Sequence, residues 1–380
     1  MSRTRVERNI SYDDVRCRYY VTLEFGIDPA TGKQIKKTKT FPKLAQARAA
    51  LRKHEAARDV GTVVLPRDIT LAQWLTDWMN NVVRLSRAST TAYAYQHIIS
   101  AHIIPTLGDV PLQKLTPQQL QQYYAFLIRD KGLSSNTARK HHDLLNTALK
   151  MAVRQGVILT NPAERVDPPK VKRPEIHFYN MEQLQQLLQL SRGTRLEVII
   201  KLAGLLGLRR EEILGLTWAC VDFQQRKIHI KTVRTAAGQL VVEKEPKTET
   251  SRRTLHMPSA LENALRREQA RQQQYRDYLG DAYCGEGYVV AHEDGRPMRP
   301  NYASELFVSF VRKHGLPPLT LHGLRHSFAS IANAKGIPMY DIGKALGHSS
   351  PSTTSKVYTH LLDRDHKDLL ERMWEPEKPD

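Results

Sequence analysis

The chain has 380 residues, with 57 Lys or Arg against 39 Asp or Glu, a formal net charge of +18 at pH 7. Its 41% hydrophobic and 25% charged content excludes a disordered chain, and no apolar run approaches the about 18–20 residues of a membrane helix. Cys17, Cys220 and Cys284 stand isolated, which argues against a disulfide framework or a Cys-based zinc site.

Two or three domains are expected from the length. With no apolar stretch behind Met1-Ser2-Arg3-Thr4-Arg5, the expectation is a soluble protein of the reducing cytoplasm. The cationic excess predicts a polyanionic partner, because Lys and Arg that meet phosphates release condensed counterions. That excess is uneven. Residues 1–67 carry 15 basic and 7 acidic side chains, net +8; residues 68–173 are net +6; residues 174–380 are net +4.

The N-terminal part reads as a small α+β module over 1–62. Val15, Cys17, Tyr19, Val21, Leu23 and Phe25 alternate with polar residues, which predicts a strand with one apolar face. A turn over 28–33 leads to a second strand over 34–41, carrying Lys36, Lys37 and Lys39. Pro42 opens a helix to about Asp59. The whole is expected as a three-stranded sheet backed by one helix. Arg16, Arg18, Lys36, Lys37 and Lys39 are its candidate DNA contacts; a merely solvated face is the rival reading, and the regional charge tips the balance to a β-ribbon in a DNA groove.

Residues 68–165 read as all-helical. The first helix, over 68–81, places Leu71, Trp74, Leu75 and Trp78 on one face. A second spans 89–102. Thr116 caps a third with Pro117 at its first position, and Leu120, Tyr123, Tyr124 and Leu127 follow helical spacing. A fourth spans about 135–155 and presents Arg139, Lys140, His141 and His142. Such a unit suits a DNA clamp with Arg139 and Lys140 as contacts, or a plain scaffold whose basic residues are solvated. The proline-rich stretch over 161–174, with Lys170, Lys172 and Arg173, reads as an extended linker that could track a phosphate backbone.

Residues 175–380 hold the chemistry, in a mainly helical domain with a small β-sheet. Helices over 181–190 and 194–205 lead to Gly207-Leu208-Arg209-Arg210-Glu211-Glu212, where Arg209 and Glu212 share a helical face. Alternation over 227–234, a turn at Gly238 and a return at Leu240-Val241-Val242 predict a hairpin; Lys247 lies in the polar turn that follows, three residues from Lys244. His322-Gly323-Leu324-Arg325-His326 sets His322 and Arg325 on one helical turn, aimed at one anion. His322 and His326 have metal-ligand spacing, but no Glu follows the first His as a zinc protease requires. Leu346-Gly347-His348-Ser349 and then Tyr358 complete the series.

This ordered set resembles the tyrosine recombinases, the phage-integrase family, across the whole catalytic segment. The helical segment looks like that family's core-binding domain. The N-terminal module looks like the arm-binding domain of integrases from temperate phages and conjugative transposons. The resemblance implies a site-specific recombinase with Tyr358 as nucleophile, forming a 3′-phosphotyrosyl link. Arg209 and Arg325 clamp the scissile phosphate, Lys247 (or Lys244) is the general acid, and His322 and His348 hydrogen-bond the phosphate. Glu212 supports the site from behind. The chemistry agrees: arginines stay charged at any pH and match a phosphoryl transition state in bidentate geometry, so no metal or other cofactor is implied. Expected partners are double-stranded DNA with core-type and arm-type sites, three further copies in a homo-tetramer, and DNA-bending and excision accessory proteins. A resolvase or invertase, a type IB topoisomerase-like enzyme, and a non-catalytic DNA-binding regulator are the competing readings.

Overall fold

The computed structural model describes residues 3–27, 32–60, 65, 68–172, 175–245 and 252–347. The chain divides into two compact units, residues 1–173 and 174–380.

The first unit opens with an antiparallel sheet in the order β1 (Thr4–Glu7), β2 (Ile10–Asp13), β3 (Arg18–Ile27), β4 (Gln34–Phe41), backed by α1 (Leu44–Asp59). The sheet thus has four strands rather than three. The missed hairpin, β1–β2, is mostly polar and turns at Asn9, whose φ of 66° is tolerated better by Asn than by most side chains. The alternating run also starts later than its pattern suggests: Val15 and Cys17 lie in the turn before β3, with Val15 exposed and Cys17 at φ 49°. From Tyr19 onward the period holds. Val21 and Leu23 are buried with Ala47 of α1 and Ile10, and Tyr19, Phe25 and Phe41 pack around them.

Four helical runs follow. In the first, α2 (Leu71–Trp78) passes through a π-helical turn, Met79–Val83, into α3 (Arg84–Ser86). In the second, α4 (Ser89–Ile98) passes through another, Ile99–Ile103, into α5 (Ile104–Leu107). The second run therefore continues past His102 and through Pro105. A proline ring ordinarily collides with the carbonyl four residues back, and the wider π-turn just upstream makes room for it. Next, α6 (Pro117–Arg129) starts at a reciprocal Thr116–Gln119 capping box, and α7 (Ser135–Arg154) is capped by Ser134. The core joins Leu71, Trp74, Leu75 and Trp78 to Leu120, Tyr123, Tyr124 and Leu127 and to Leu144, Leu145 and Leu149. Trp74 donates its Nε1–H to the carbonyl of Ala148 at 3.1 Å. His141 and His142 belong to this core, not to a solvated basic face. Each is buried, with Nδ1 at 2.8 Å from the Tyr123 hydroxyl and 3.2 Å from the Tyr124 hydroxyl, respectively.

In the second unit, α8 (Met181–Leu190) and α9 (Glu197–Leu206) precede the short α10 (Arg210–Leu214). All of α9 except Leu205 is buried, as suits a helix packed on every side. It starts later than its apolar run suggests because the Thr194 hydroxyl closes a turn on the Ser191 carbonyl. The strands form two small sheets instead of one. Strands β5 (Val221–Asp222), β6 (Lys227–Ile230) and β9 (Arg253–His256) make an antiparallel three-stranded sheet; β7 (Val233–Ala237) and β8 (Leu240–Lys244) make a separate hairpin. The alternating run over 227–234 therefore breaks after Ile230. Then come α11 (Ser259–Leu279), α12 (Pro300–Lys313), α13 (Leu321–Ala334) and α14 (Met339–Leu346). The core gathers α8, α9, β6, α11 and α12 with Leu321 and Leu324, while Ala329, Ala332, Ile342 and Leu346 seal α13 against α14. No helix among the described residues is long and apolar enough to cross a membrane.

Candidate active site

Three helix ends bring the site together. The first follows α9 at Gly207, where φ is +64° and a Cβ would lie 2.5 Å from Leu346 Cδ2 and 2.7 Å from Phe328 Cδ1. Only glycine lets α13 and α14 close over this turn. The second is the start of α13, where the Thr320 hydroxyl accepts the Gly323 N–H at 3.1 Å. A Cβ on Gly323 would meet Leu319 Cδ1 at 2.5 Å and the His177 carbonyl at 3.2 Å, so a larger residue here would displace the Leu319 side chain. The third is the end of α14, one residue before Gly347.

Both candidate phosphate clamps lean on main-chain carbonyls at the ends of α9 and α14. Arg325, only 2% exposed, donates from Nη1 to the Gly207 carbonyl at 2.7 Å and from Nη2 to the Leu346 carbonyl at 2.8 Å. Arg209 occupies the N-cap of α10 and donates from Nη2 to the Gly347 carbonyl at 3.3 Å. The two guanidiniums therefore share the C-terminus of α14, whose unpaired carbonyls suit cations.

Glu212, 2% exposed, lies behind Arg209. Its Oε1 accepts from Arg209 Nη1 at 2.9 Å and its Oε2 accepts the Arg209 backbone N–H at 2.9 Å. Arg253 of β9 adds a fork, from Nη1 to Oε1 and Nη2 to Oε2, both at 3.0 Å. Burial alone would raise the Glu212 carboxyl, but the Arg253 and Arg209 guanidiniums outweigh it and hold the group below the ordinary carboxylate range. Glu212 is thus ionised in the site.

His322 keeps an exposed face, and its ring meets His326 edge-on at 4.8 Å between centroids. Loss of solvent around the rest of the ring, then the cations Arg325, Arg209 and Arg210, hold it below the ordinary histidine range against the opposing pull of Glu211. It is neutral at pH 7 and able to accept a proton. Arg210 turns away from the clamp, donating to the Ser304 hydroxyl at 3.0 Å.

The structure thus unites Arg209, Glu212, His322 and Arg325. Lys247, His348 and Tyr358 lie outside the described residues, as does Arg173. Lys244, the other candidate acid, is the last residue of β8, in register with Val233. Arg253 is the member that sequence reading missed. Read locally, it is one of two arginines opening a strand, and its partner Glu212 is 41 residues away.

The candidate DNA contacts of the first unit do not form a single surface. Arg16 and Arg18 are exposed at the turn before β3 and its first residue. Lys37 and Lys39 pair with Leu23 and Val21, whose side chains point to α1, whereas Lys36 pairs with Glu24 on the other face and bridges it at 3.1 Å. Arg139 is held by Asp143 at 2.9 Å, and Lys140, Lys170 and Lys172 are exposed. Asn136 of α7 exchanges two hydrogen bonds with the Lys172 backbone, at 2.7 and 2.8 Å, and so pins this end of the linker.

Two family profiles match this chain. Residues 177–365 match the phage integrase family, and residues 70–128 match the N-terminal SAM-like domain of phage integrases. A tyrosine recombinase XerC-like protein from Caldanaerobacter subterraneus subsp. tengcongensis is 27% identical over 376 residues, spanning 93% of this chain and 95% of the relative. The Tn1549 transposon integrase in complex with a circular intermediate DNA superposes with a TM-score of 0.66 at 20% identity, over 80% of this chain and 99% of that one. A lambda integrase tetramer bound to a Holliday junction superposes with a TM-score of 0.56 at 18% identity, over 93% and 96%. At these identities the superpositions establish the fold.

Proposed function

The chain belongs to the phage integrase family, and we propose that it integrates and excises a mobile element by cutting and rejoining DNA through a 3′-phosphotyrosyl intermediate. It is a tyrosine site-specific recombinase. The observation that carries the mechanism is the pair of arginines, Arg209 and Arg325, fixed on the carbonyls of Gly207, Leu346 and Gly347 beside a neutral His322.

The steps follow from these groups. Tyr358 Oη attacks the scissile phosphorus while the bond to the 5′-oxygen breaks. A free tyrosine has a pKa of about 10, so the attack needs a proton acceptor and nearby cations. His322 takes the proton. Negative charge builds on the non-bridging oxygens, where Arg209, Arg325 and His348 meet it. Lys247 protonates the departing 5′-oxygen. The phosphodiester energy is kept in the tyrosyl ester, so a 5′-hydroxyl from the partner duplex rejoins the strand by the reverse sequence. Residues 68–165 and 175–380 grip the core-type site, residues 1–62 grip arm-type sites, and four protomers act on two duplexes. Lambda integrase, similar in fold, is seen as a tetramer on a Holliday junction, which supports that stoichiometry.

A nicked suicide substrate carrying a core site tests the reading. The wild-type chain should yield a covalent protein–DNA band that Tyr358→Phe loses while still binding DNA. A covalent band that persists in Tyr358→Phe would overturn the nucleophile assignment. Deleting residues 1–67 should spare core cleavage and abolish arm-site binding; arm-site binding that survives refutes the role given to the sheet.

A further inference from the structure

The Glu212 carboxylate receives four N–H donors: two from Arg253, one from the Arg209 side chain and one from the Arg209 backbone. A carboxylate offers about four lone-pair sites, so this one is saturated. Arg253 also donates from Nε to the Ala345 carbonyl in the last turn of α14, at 2.8 Å, and its side chain is 8% exposed. It therefore ties together three segments. These are β9, which follows the Lys247 segment in sequence; α10, which orients Arg209; and α14, whose end holds both clamping arginines.

The charge balance is the more telling point. Two guanidiniums share one buried carboxylate, which leaves this trio one net positive charge, beside that of Arg325. Without Arg253, the carboxylate would pair with Arg209 alone and cancel the charge that a phosphate is meant to meet. With Arg253 present, Glu212 orients Arg209 without neutralising it.

We infer that Arg253 is a positioning residue for strand transfer, which occupies Glu212 so that Arg209 stays both aligned and cationic toward the scissile phosphate. This rests on the recombinase reading above. Arg253 need not touch DNA; it acts through Glu212 and the end of α14.

The test measures the single-turnover rate of covalent complex formation on the nicked substrate, beside DNA affinity and thermal melting. Arg253→Met should lower the rate by about 100-fold at saturating DNA, the scale of losing one preorganised donor, while affinity, spread over many phosphate contacts, changes by less than about threefold. Arg253→Lys keeps the charge but not the fork, and should lose about tenfold. The distinguishing variant is Arg253→Met with Glu212→Gln. Removing the carboxylate's charge returns Arg209 to a net cation, so the rate should recover at least about tenfold over Arg253→Met. A structural role alone predicts no such rescue, because the bond to Ala345 is still missing. If Arg253→Met melts below the assay temperature, Arg253→Gln, which is also uncharged, makes the same comparison with and without Glu212→Gln.

The inference is overturned if Arg253→Met cleaves at the wild-type rate. It is equally overturned if rates fall only in proportion to the folded fraction, or if the second substitution brings no recovery. Absence of a covalent band with the wild-type chain would instead refute the recombinase reading.

Discussion

The helical region over 68–165 and the catalytic unit bury different kinds of polar group. Among the described residues, the helical region buries His141, His142 and Asn161, all neutral; the catalytic unit buries the ions Glu197, Lys201, Glu212, Arg234, Glu268 and Arg325 besides the neutral Ser191, Gln272 and Ser327. Burying an ion costs several kcal/mol even when it is paired, so ion pairs in a core are a poor way to gain stability. The helical region avoids that cost by joining histidine to tyrosine. The catalytic unit accepts it where Arg209, Arg325 and Glu212 are fixed ahead of the reaction. Preorganised cations in a dry site are worth more to a developing phosphoryl charge than mobile ones in water.

Substitutions in each region separate the two strategies. Arg325→Ala should slow covalent complex formation by about 10³-fold, and Arg325→Lys should not restore it, because an ammonium cannot span the carbonyls of Gly207 and Leu346. A lysine variant within tenfold of wild type would show that charge alone suffices. Glu212→Ala should destabilise the catalytic unit by about 3 kcal/mol in urea, since it leaves the buried Arg253 and the half-buried Arg209 guanidiniums without their counter-ion. A loss below 1 kcal/mol would mean that solvent reaches this network.

The helical region should respond to acid instead. Burial pulls His141 down to about 4, with His102 and His97 adding to the shift. The unfolded histidine takes a proton near pH 6.5, while the folded one resists until about pH 4. Stability is therefore intact above about pH 6.5 and falls as pH drops toward 4, by about 3 kcal/mol in all. Urea melts across this range would show it, and His141→Phe should flatten the slope. Trp74→Phe removes the bond to Ala148 and should cost about 1 kcal/mol. Arg139→Ala should change stability by less than about 0.5 kcal/mol, because its partner Asp143 is exposed. If Arg139 meets a phosphate, the same change lowers DNA affinity at every sequence and reduces the salt slope by about one.

The parts of this contrast that the sequence displays are those carried by residue type at fixed spacing. Arg209, Glu212, His322 and Arg325, grouped in the sequence by type and order, do come together in the structure. The capping box at Thr116 and the apolar faces of α2 and α6 were legible because helical period exposes them. His141 and His142 were read with the basic run beside them, although Ala138, Leu145, Ala148 and Ala152 put them on the buried face by i, i+3 and i+4 spacing. The π-turns left no pattern, because one extra residue per turn only shifts the phase of the face that follows. Arg253 was illegible for a different reason. Its role depends on an acidic partner in another element, and no local period links the two.

The anchors of the clamp also bear on how freely its surroundings can drift. Arg325 rests on the carbonyls of Gly207 and Leu346, Arg209 on that of Gly347, and Arg253 on that of Ala345. A main-chain carbonyl is supplied by every residue type, so substitutions at positions 345 and 346 that keep the helix leave these acceptors in place. Much of the clamp is thus held by the path of the chain rather than by its spelling. Glu212 is the exception: it is the one acidic side chain on which Arg209 and Arg253 both depend among the contacts described. A lineage can respell the frame around this site more readily than it can lose that single carboxylate.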